Sequence, residues 1–289
     1  MTMAGSEPAL PLSENTSVPS TKNLALRAAS AAFLAPLAIG AAYVGGWPFT
    51  LFWAIAAVAV WWEWIGLVDP AGGRNVVLAT GACALLLEAV LVATDNLAIA
   101  VMIVALGLLA SIATAGKQSL LVAGGIIYAS ALLIASFVIR SDPQAGFLAI
   151  VFLFAVVWGT DIGGYFAGRA FGGPKLAPAI SPKKTLSGAI GGTIAGVAAA
   201  VALMAAVSTS SPLMIGLVAL LLSVVSQIGD LFESWLKRTC EAKDASGLIP
   251  GHGGVMDRLD GYIFAVAAAA MIGMMRGGPD AAAQGLIAW

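Results

Sequence analysis

Long apolar runs, each close to the length of a bilayer crossing, divide this chain, and its polar residues gather in the short connections between them. A helix needs about 20 mostly apolar residues to cross the roughly 30 Å hydrocarbon layer. By that ruler nine membrane helices are predicted, over residues 28–44, 49–68, 76–94, 97–115, 120–139, 146–168, 186–207, 213–230 and 259–275. The break between the third and fourth rests on Asp95 and Asn96 alone. The alanine- and glycine-rich run 186–207 suits close helix–helix approach, because small side chains let backbones touch where lipid supplies no hydrophobic drive. Residues 1–22, rich in Ser, Pro, Thr and Glu, are expected to form a disordered cytoplasmic tail. The first positive charge there is Lys22, which is unlike the basic start of a secretory signal, so the first span is expected to remain as an anchor. No internal repeat or separate soluble domain is visible, and residues 23–289 read as a single membrane catalytic domain.

Composition supports the same picture. Of 289 residues 60% are apolar and 10% charged, against about 45–50% and 25% in soluble domains. An ordinary globular enzyme is excluded, and the expected fold class is an all-α polytopic integral membrane protein. A net charge of −1 provides no basic field for a nucleic-acid partner. Neither Cys83 nor Cys240 belongs to a CxxC pair, so no disulfide framework or thiolate metal site is implied. With nine spans, 12 of the 14 Lys and Arg residues fall on one side, and only Arg140 and Arg276 lie opposite. The positive-inside rule then places the N-terminus in the cytoplasm and the C-terminus across the inner (cytoplasmic) membrane.

Ionisable residues at membrane depth default to function, and two stretches carry them. In the first, Thr160, Asp161, Gly164, Tyr165, Gly168 and Arg169 share one helix face, a small and polar stripe that suggests a lined cavity. It leads to Ser181-Pro-Lys183-Lys184-Thr185. In the second, Ser223, Ser226, Gln227, Asp230, Glu233, Ser234, Lys237, Arg238 and Glu241 step by three and four along one continuous helix. Lys243-Asp244 and the turn Pro250-Gly-His252-Gly-Gly254 follow, before Asp257-Arg258-Leu-Asp260 opens the last span. A hairpin between neighbouring spans can bring Asp230 and Asp257 together. Such a carboxylate pair suits Mg²⁺, which binds through one or two carboxylates plus substrate phosphates. Lys and Arg hold phosphate charge, and the glycine-rich turn permits close backbone approach to a polyphosphate. These features describe metal-assisted phosphoryl or nucleotidyl transfer at a cytoplasmic membrane face.

The run Ser234-Trp-Leu-Lys-Arg238, Lys243-Asp244 and Pro250-Gly-His252-Gly-Gly254-Val-Met-Asp257-Arg258-Leu-Asp260 closely resembles the signature of phosphatidate cytidylyltransferases. Asp161-Ile-Gly-Gly-Tyr-Phe-Ala-Gly-Arg169, Ser181-Pro-Lys-Lys-Thr185 and Gln227-Ile-Gly-Asp230 resemble the same family, and the signature region spans residues 227–261. The resemblance implies that CTP and phosphatidic acid give CDP-diacylglycerol and pyrophosphate. It also implies Mg²⁺ on Asp230 and Asp257, a monovalent cation such as K⁺ nearby, and a homodimer. Asp161, Asp230, Lys237, Arg238 and Asp257 are the expected catalytic residues. Ser181, Lys183, Lys184, Thr185, Lys243, Asp244, His252, Arg258 and Asp260 are the expected substrate contacts.

Plainer readings stand beside these. His252 could stabilise the turn, Lys183 and Lys184 could be topology charges, and Asp161 a satisfied span-end residue. Lys237 and Arg238 could meet lipid headgroups. Glu63, within Trp61-Trp62-Glu63-Trp64, reads as a snorkelling acid in an interfacial aromatic belt. Glu88 lies deeper and could pair within the bundle, and Cys240 reads as a bystander. An ion-coupled secondary transporter is the main rival from another class. A CDP-alcohol phosphotransferase would need a DGxxAR pattern that Asp260-Gly261-Tyr262 does not continue, and no GxxxxGK[ST] loop occurs.

Overall fold

A computed structural model describes residues 21–68, 74–114, 118–242, 244–248 and 253–289. A helix forms at each of the nine predicted places: α1 (Thr21–Val44), α2 (Gly46–Val68), α3 (Arg74–Ala93), α4 (Leu97–Thr114), α5 (Ser119–Ser141), α6 (Gly146–Phe171), α7 (Leu186–Val207), α8 (Pro212–Thr239) and α9 (Met256–Gly277). Among the described residues, seven of them are long and apolar enough to cross a membrane. The described parts of α1 and α4 contribute the shorter apolar stretches Ala32–Val44 and Leu97–Ala110. The fold is therefore an all-α multi-pass membrane bundle, in which seven helices reach full-span length among the described residues. The expected tail lies outside the described residues, apart from Thr21 and Lys22 at the start of α1.

Two features escaped the hydrophobic pattern. Between α6 and α7 the chain forms an antiparallel hairpin, β1 (Lys175–Ala177) with β2 (Ser181–Thr185). After α9 a 3-10 turn (Pro279–Ala281) leads into a short helix, α10 (Ala282–Ile287), whose Ala282, Ala283 and Leu286 are fully buried against the bundle. Neither is long enough to leave a readable period.

Glycines set the closest helix contacts. A Cβ on Gly192 of α7 would fall 2.6 Å from the Thr160 carbonyl of α6, and one on Gly164 would fall 3.3 Å from the Gly188 carbonyl. The small part of the predicted α6 stripe therefore seats α7 and does not line a cavity, which corrects that expectation. Lipid-embedded helices gain from backbone contact of this kind, since no hydrophobic drive holds them together. Tyr165 and Arg169 continue the stripe on the outside, where Arg169 donates to the Tyr165 hydroxyl (3.0 Å).

A second framework is aromatic. Trp64, Tyr128, Phe232 and Phe264 interlock α2, α5, α8 and α9, with ring centroids 5.3–6.2 Å apart. Trp53 stacks on Tyr262 at 4.8 Å, and the Tyr262 hydroxyl meets Ser136 Oγ at 3.3 Å. Trp61 and Trp64 are 0% and 2% exposed, and their indole N–H groups donate to the carbonyls of Leu78 and Leu121. Only Trp62 of that quartet, 46% exposed, suits the belt expected from the sequence. Glu88 is buried and accepts from Ser130 Oγ (2.8 Å), an α3–α5 link in line with the expected pairing within the bundle.

At the end where α5 leads into α6, buried Asp142 accepts from the backbone N–H groups of Gln144, Ala145 and Gln284 and from the Gln284 side chain. Burial pushes the Asp142 carboxyl up, but these hydrogen bonds outweigh it and hold its pKa below the ordinary value. A carboxyl depressed in the folded state stabilises above its unfolded pKa, about 3.9, and loses that contribution as pH falls through the folded value. Asp142→Asn should accordingly lower the melting temperature in detergent at pH 7. The gap to wild type should close as the pH drops below about 4. Gly192→Leu should destabilise by about 1–3 kcal/mol through overpacking. Gly216→Ala, whose methyl would meet Val201 at an ordinary 3.7 Å, should melt close to wild type.

Candidate active site

Antiparallel α8 and α9 cross where glycine faces each helix. A Cβ on Gly229 would fall 2.5 Å from the Asp260 carbonyl, and one on Gly261 would fall 2.8 Å from Asp230 Oδ1. This crossing lays Asp230 beside the start of α9. Two turns further toward the α8 C-terminus, Lys237 Nζ bridges Glu233 Oε2 (2.6 Å) and Asp257 Oδ1 (2.7 Å). Asp230 and Asp257 thus line one seam, with Asp230 beside Gly261 and Asp257 one turn nearer the start of α9. The predicted polar stripe of α8 is continuous as far as Thr239, and the left-handed backbone of Glu241 (φ 55°) lies beyond the helix end.

The stripe makes contacts all along its length. Ser223 Oγ meets Thr160 Oγ1 of α6 (2.7 Å), and Gln227 donates to Thr193 Oγ1 of α7 (2.9 Å). Asp230 Oδ2 receives Lys184 Nζ from β2 at 2.8 Å. The hairpin that sequence periodicity missed is therefore the element that delivers a lysine to the seam. Asp161 lies within electrostatic reach of Asp230, Lys184 and Arg258, and Asp260 within reach of Asp230, Glu233 and Asp161.

Other expected site residues are placed differently. The Thr185 hydroxyl accepts from Gly188 N (3.1 Å) as the N-cap of α7 and also meets Ser187 Oγ. Its buried side chain is occupied, so the substrate-contact reading of Thr185 gives way to a capping one. Ser181 opens β2, and Lys183, Arg238, Asp244 and Arg258 are exposed at the same end of the bundle. Lys243 and His252 lie outside the described residues. Cys240, beyond α8, has its thiol pKa raised by burial and meets none of the site carboxylates in a hydrogen bond.

Of the glycine-rich turn, Gly253 and Gly254 are among the described residues, and both lie against carboxylates of the protein. A Cβ on Gly253 (φ +84°) would fall 2.7 Å from Asp257 Oδ2, and one on Gly254 would fall 2.7 Å from both Glu63 carboxylate oxygens. The side-chain-free backbone here admits two carboxylates of the protein itself. Asp257 Oδ2 accepts from Gly254 N (2.7 Å) and Ala245 N (3.3 Å). Glu63, 1% exposed, accepts from Ser246 Oγ (2.6 Å), Val255 N (2.8 Å) and Met256 N (2.7 Å). It caps the start of α9 and does not snorkel to an interface. Sequence reasoning missed this role because the donors lie more than 180 residues away along the chain.

Among the described residues no three Asp, Glu, His or Cys side chains converge on one point. Among the described residues, a divalent ion at the seam would find a pair of carboxylates, Asp230 and Asp257, and would fill its other positions with substrate oxygens and water. That donor set fits Mg²⁺.

Comparison with known proteins identifies the family. Residues 25–275 match the model of the Cytidylyltransferase family. A phosphatidate cytidylyltransferase of Brucella suis is 41% identical over 270 residues, covering 89% of this chain and 96% of the relative. Phosphatidate cytidylyltransferases of Bacillus subtilis (40% identical over 127 residues, 44% of this chain and 47% of the relative) and Haemophilus influenzae (41% over 133 residues, 43% and 45%) match shorter portions. None of these relatives bears a transporter's name, and the ion-coupled carrier reading finds no support. With a family match over most of its length and a relative of that identity, the chain belongs to the cytidylyltransferase family.

Proposed function

We propose that this membrane enzyme transfers CMP from CTP to phosphatidic acid, giving CDP-diacylglycerol and pyrophosphate for phospholipid biosynthesis. The observation that carries the reading is the α8–α9 seam, where the pairs Asp230–Lys184 and Asp257–Lys237 line one face at the end of a membrane bundle. The names of the relatives support phosphatidate as the acceptor. The excess of Lys and Arg on one side of the predicted topology supports a site facing the cytoplasm, where CTP is found, in an enzyme of the inner membrane.

The reaction joins two anions. A phosphate oxygen of phosphatidate attacks the α-phosphorus of CTP, and the bond from that phosphorus to pyrophosphate breaks as the new one forms. The attacking phosphate is already ionised near pH 7, so no strong general base is required. Lys184 and Lys237, released in part from their carboxylates, would hold phosphate oxygens and offset the charge that builds on pyrophosphate. Lys183, Arg238 and Arg258 would draw the triphosphate to the site. Asp230 and Asp257 would hold Mg²⁺, which when bound neutralises phosphate charge and fixes the reacting groups. An apolar groove of about 360 Å³ between α7 and α8, lined by Ile190, Ile194, Ile228 and Leu231, reaches Gln227 one turn before Asp230. It would let the acyl chains stay among lipid tails while the headgroup reaches the seam.

Purified protein in detergent, given phosphatidate, labelled CTP and Mg²⁺, should form CDP-diacylglycerol. EDTA should abolish the product, and Asp230→Asn or Asp257→Asn should reduce it by about 10²–10³-fold, the scale of losing a charge-stabilising group. Product formation that survives EDTA would overturn the metal assignment, and no product from wild type would overturn the substrate assignment. Lys184→Met should lower kcat/KM for CTP by about 10–100-fold, as loss of a charge-assisted hydrogen bond implies. Lys183→Met, which alters an exposed neighbour, should cost less than Lys184→Met in the same assay.

A further inference from the structure

Glu63 stands outside the signature by more than 160 residues, yet it touches both stems of the α8–α9 connection. Ser246 donates to it from the stem that leaves α8, and Val255 and Met256 donate from the stem that enters α9. One carboxylate therefore ties the two stems to a third helix. That helix is itself fixed: Trp61 bonds to the Leu78 carbonyl of α3, and Trp64 bonds to the Leu121 carbonyl of the α5 start. The route from Glu63 to the seam is short. Gly254, lying against the Glu63 carboxylate, donates its N–H to Asp257 Oδ2 (2.7 Å), and Asp257 Oδ1 receives Lys237 (2.7 Å).

We propose that Glu63 is a positioning residue for cytidylyl transfer, fixing the stems of the α8–α9 connection and through them Asp257 and the Lys237 ammonium. The inference rests on the role proposed above for Asp257 and Lys237. The position demands a carboxylate, because all three partners donate and an ionised carboxylate only accepts. A glutamine there would turn an NH₂ toward a backbone N–H and leave a buried donor unpaired. The charge of Glu63 also offsets the positive end of α9. The Val255 and Met256 N–H groups are thereby taken and are not open to a phosphate.

The test compares full-length wild type with Glu63→Gln, Glu63→Asp and, as a remote buried carboxylate, Glu88→Gln. For each, kcat and the KM for CTP and for phosphatidate are measured well below the melting temperature, which is recorded in parallel. Glu63→Gln should lose about 10–100-fold in kcat, the scale of a misplaced catalytic group, with KM for phosphatidate little changed. Glu63→Asp, which keeps the charge, should retain more of kcat, and Glu88→Gln should leave it unchanged. Glu63→Gln combined with Lys237→Met should be little slower than Lys237→Met alone, because effects transmitted through one group do not add. A lowered melting temperature with wild-type kcat would reduce Glu63 to a staple of the fold and overturn the proposal, as would fully additive losses. Should Glu63→Gln fail to fold, Ser246→Ala removes one donor only. It should lower kcat several-fold at a near-normal melting temperature, and an unchanged kcat would again overturn the proposal. An inactive wild type counts against the substrate reading, whereas an active wild type matched by Glu63→Gln counts against Glu63 alone.

Discussion

Pairing of carboxylates with cations and backbone donors at the edge of a low-dielectric bundle organises this protein's polar end. Asp230 is offset by Lys184 from the β-hairpin, and Glu233 and Asp257 share Lys237. Glu63 is offset by backbone donors at the α9 start and by Ser246. Removing one partner leaves the other charge uncompensated, a loss that is greatest around the more buried Lys237 and smaller at the partly exposed Lys184. Since the partners come from α2, β2, α8 and α9, charge pairing locks together segments far apart in the chain. In the proposed reaction those same lysines would exchange a carboxylate for a phosphate, so that one arrangement serves both the resting fold and the chemistry.

Glycine makes the pairing geometrically possible. Gly229 and Gly261 let α8 and α9 approach until Asp230 sits beside the start of its neighbour, and Gly253 and Gly254 let Asp257 and Glu63 close on the backbone from separate sides. In α6 and α7 the same residue type has a different purpose: Gly164, Gly188 and Gly192 bring two lipid-embedded backbones together and anchor the hairpin that carries Lys184. The aromatic cluster of Trp64, Tyr128, Phe232 and Phe264 then supports the seam from below with rigid rings. Small residues set distances here and large rings hold them.

Much of the fold was legible because a membrane helix is coded locally. Its length and apolarity are properties of one segment, and the bounds of α7, Leu186–Val207, coincide with the predicted run. The α8 stripe was legible for the same reason, since a period of three and four needs no partner to be seen. What failed was any reading that depended on what lies opposite. The α6 glycines look alike whether they face a cavity or another helix. Thr185 looks like a ligand until its hydroxyl is found on Gly188 N. Glu63 between tryptophans looks interfacial until the start of α9 is found above it.

By itself the sequence determined that the chain lives in a membrane, where its helices lie, which residues carry charge and which reaction class their spacing suits. These follow from transfer free energies, helical periodicity and residue chemistry, all fixed along the chain. Only the tertiary structure decided which lysine meets which carboxylate, that a short hairpin delivers Lys184, and that Glu63 holds the entrance to α9. Those outcomes depend on contacts between segments up to 193 residues apart. A pairing of that reach is set by packing and mutual neutralisation, which no local pattern encodes.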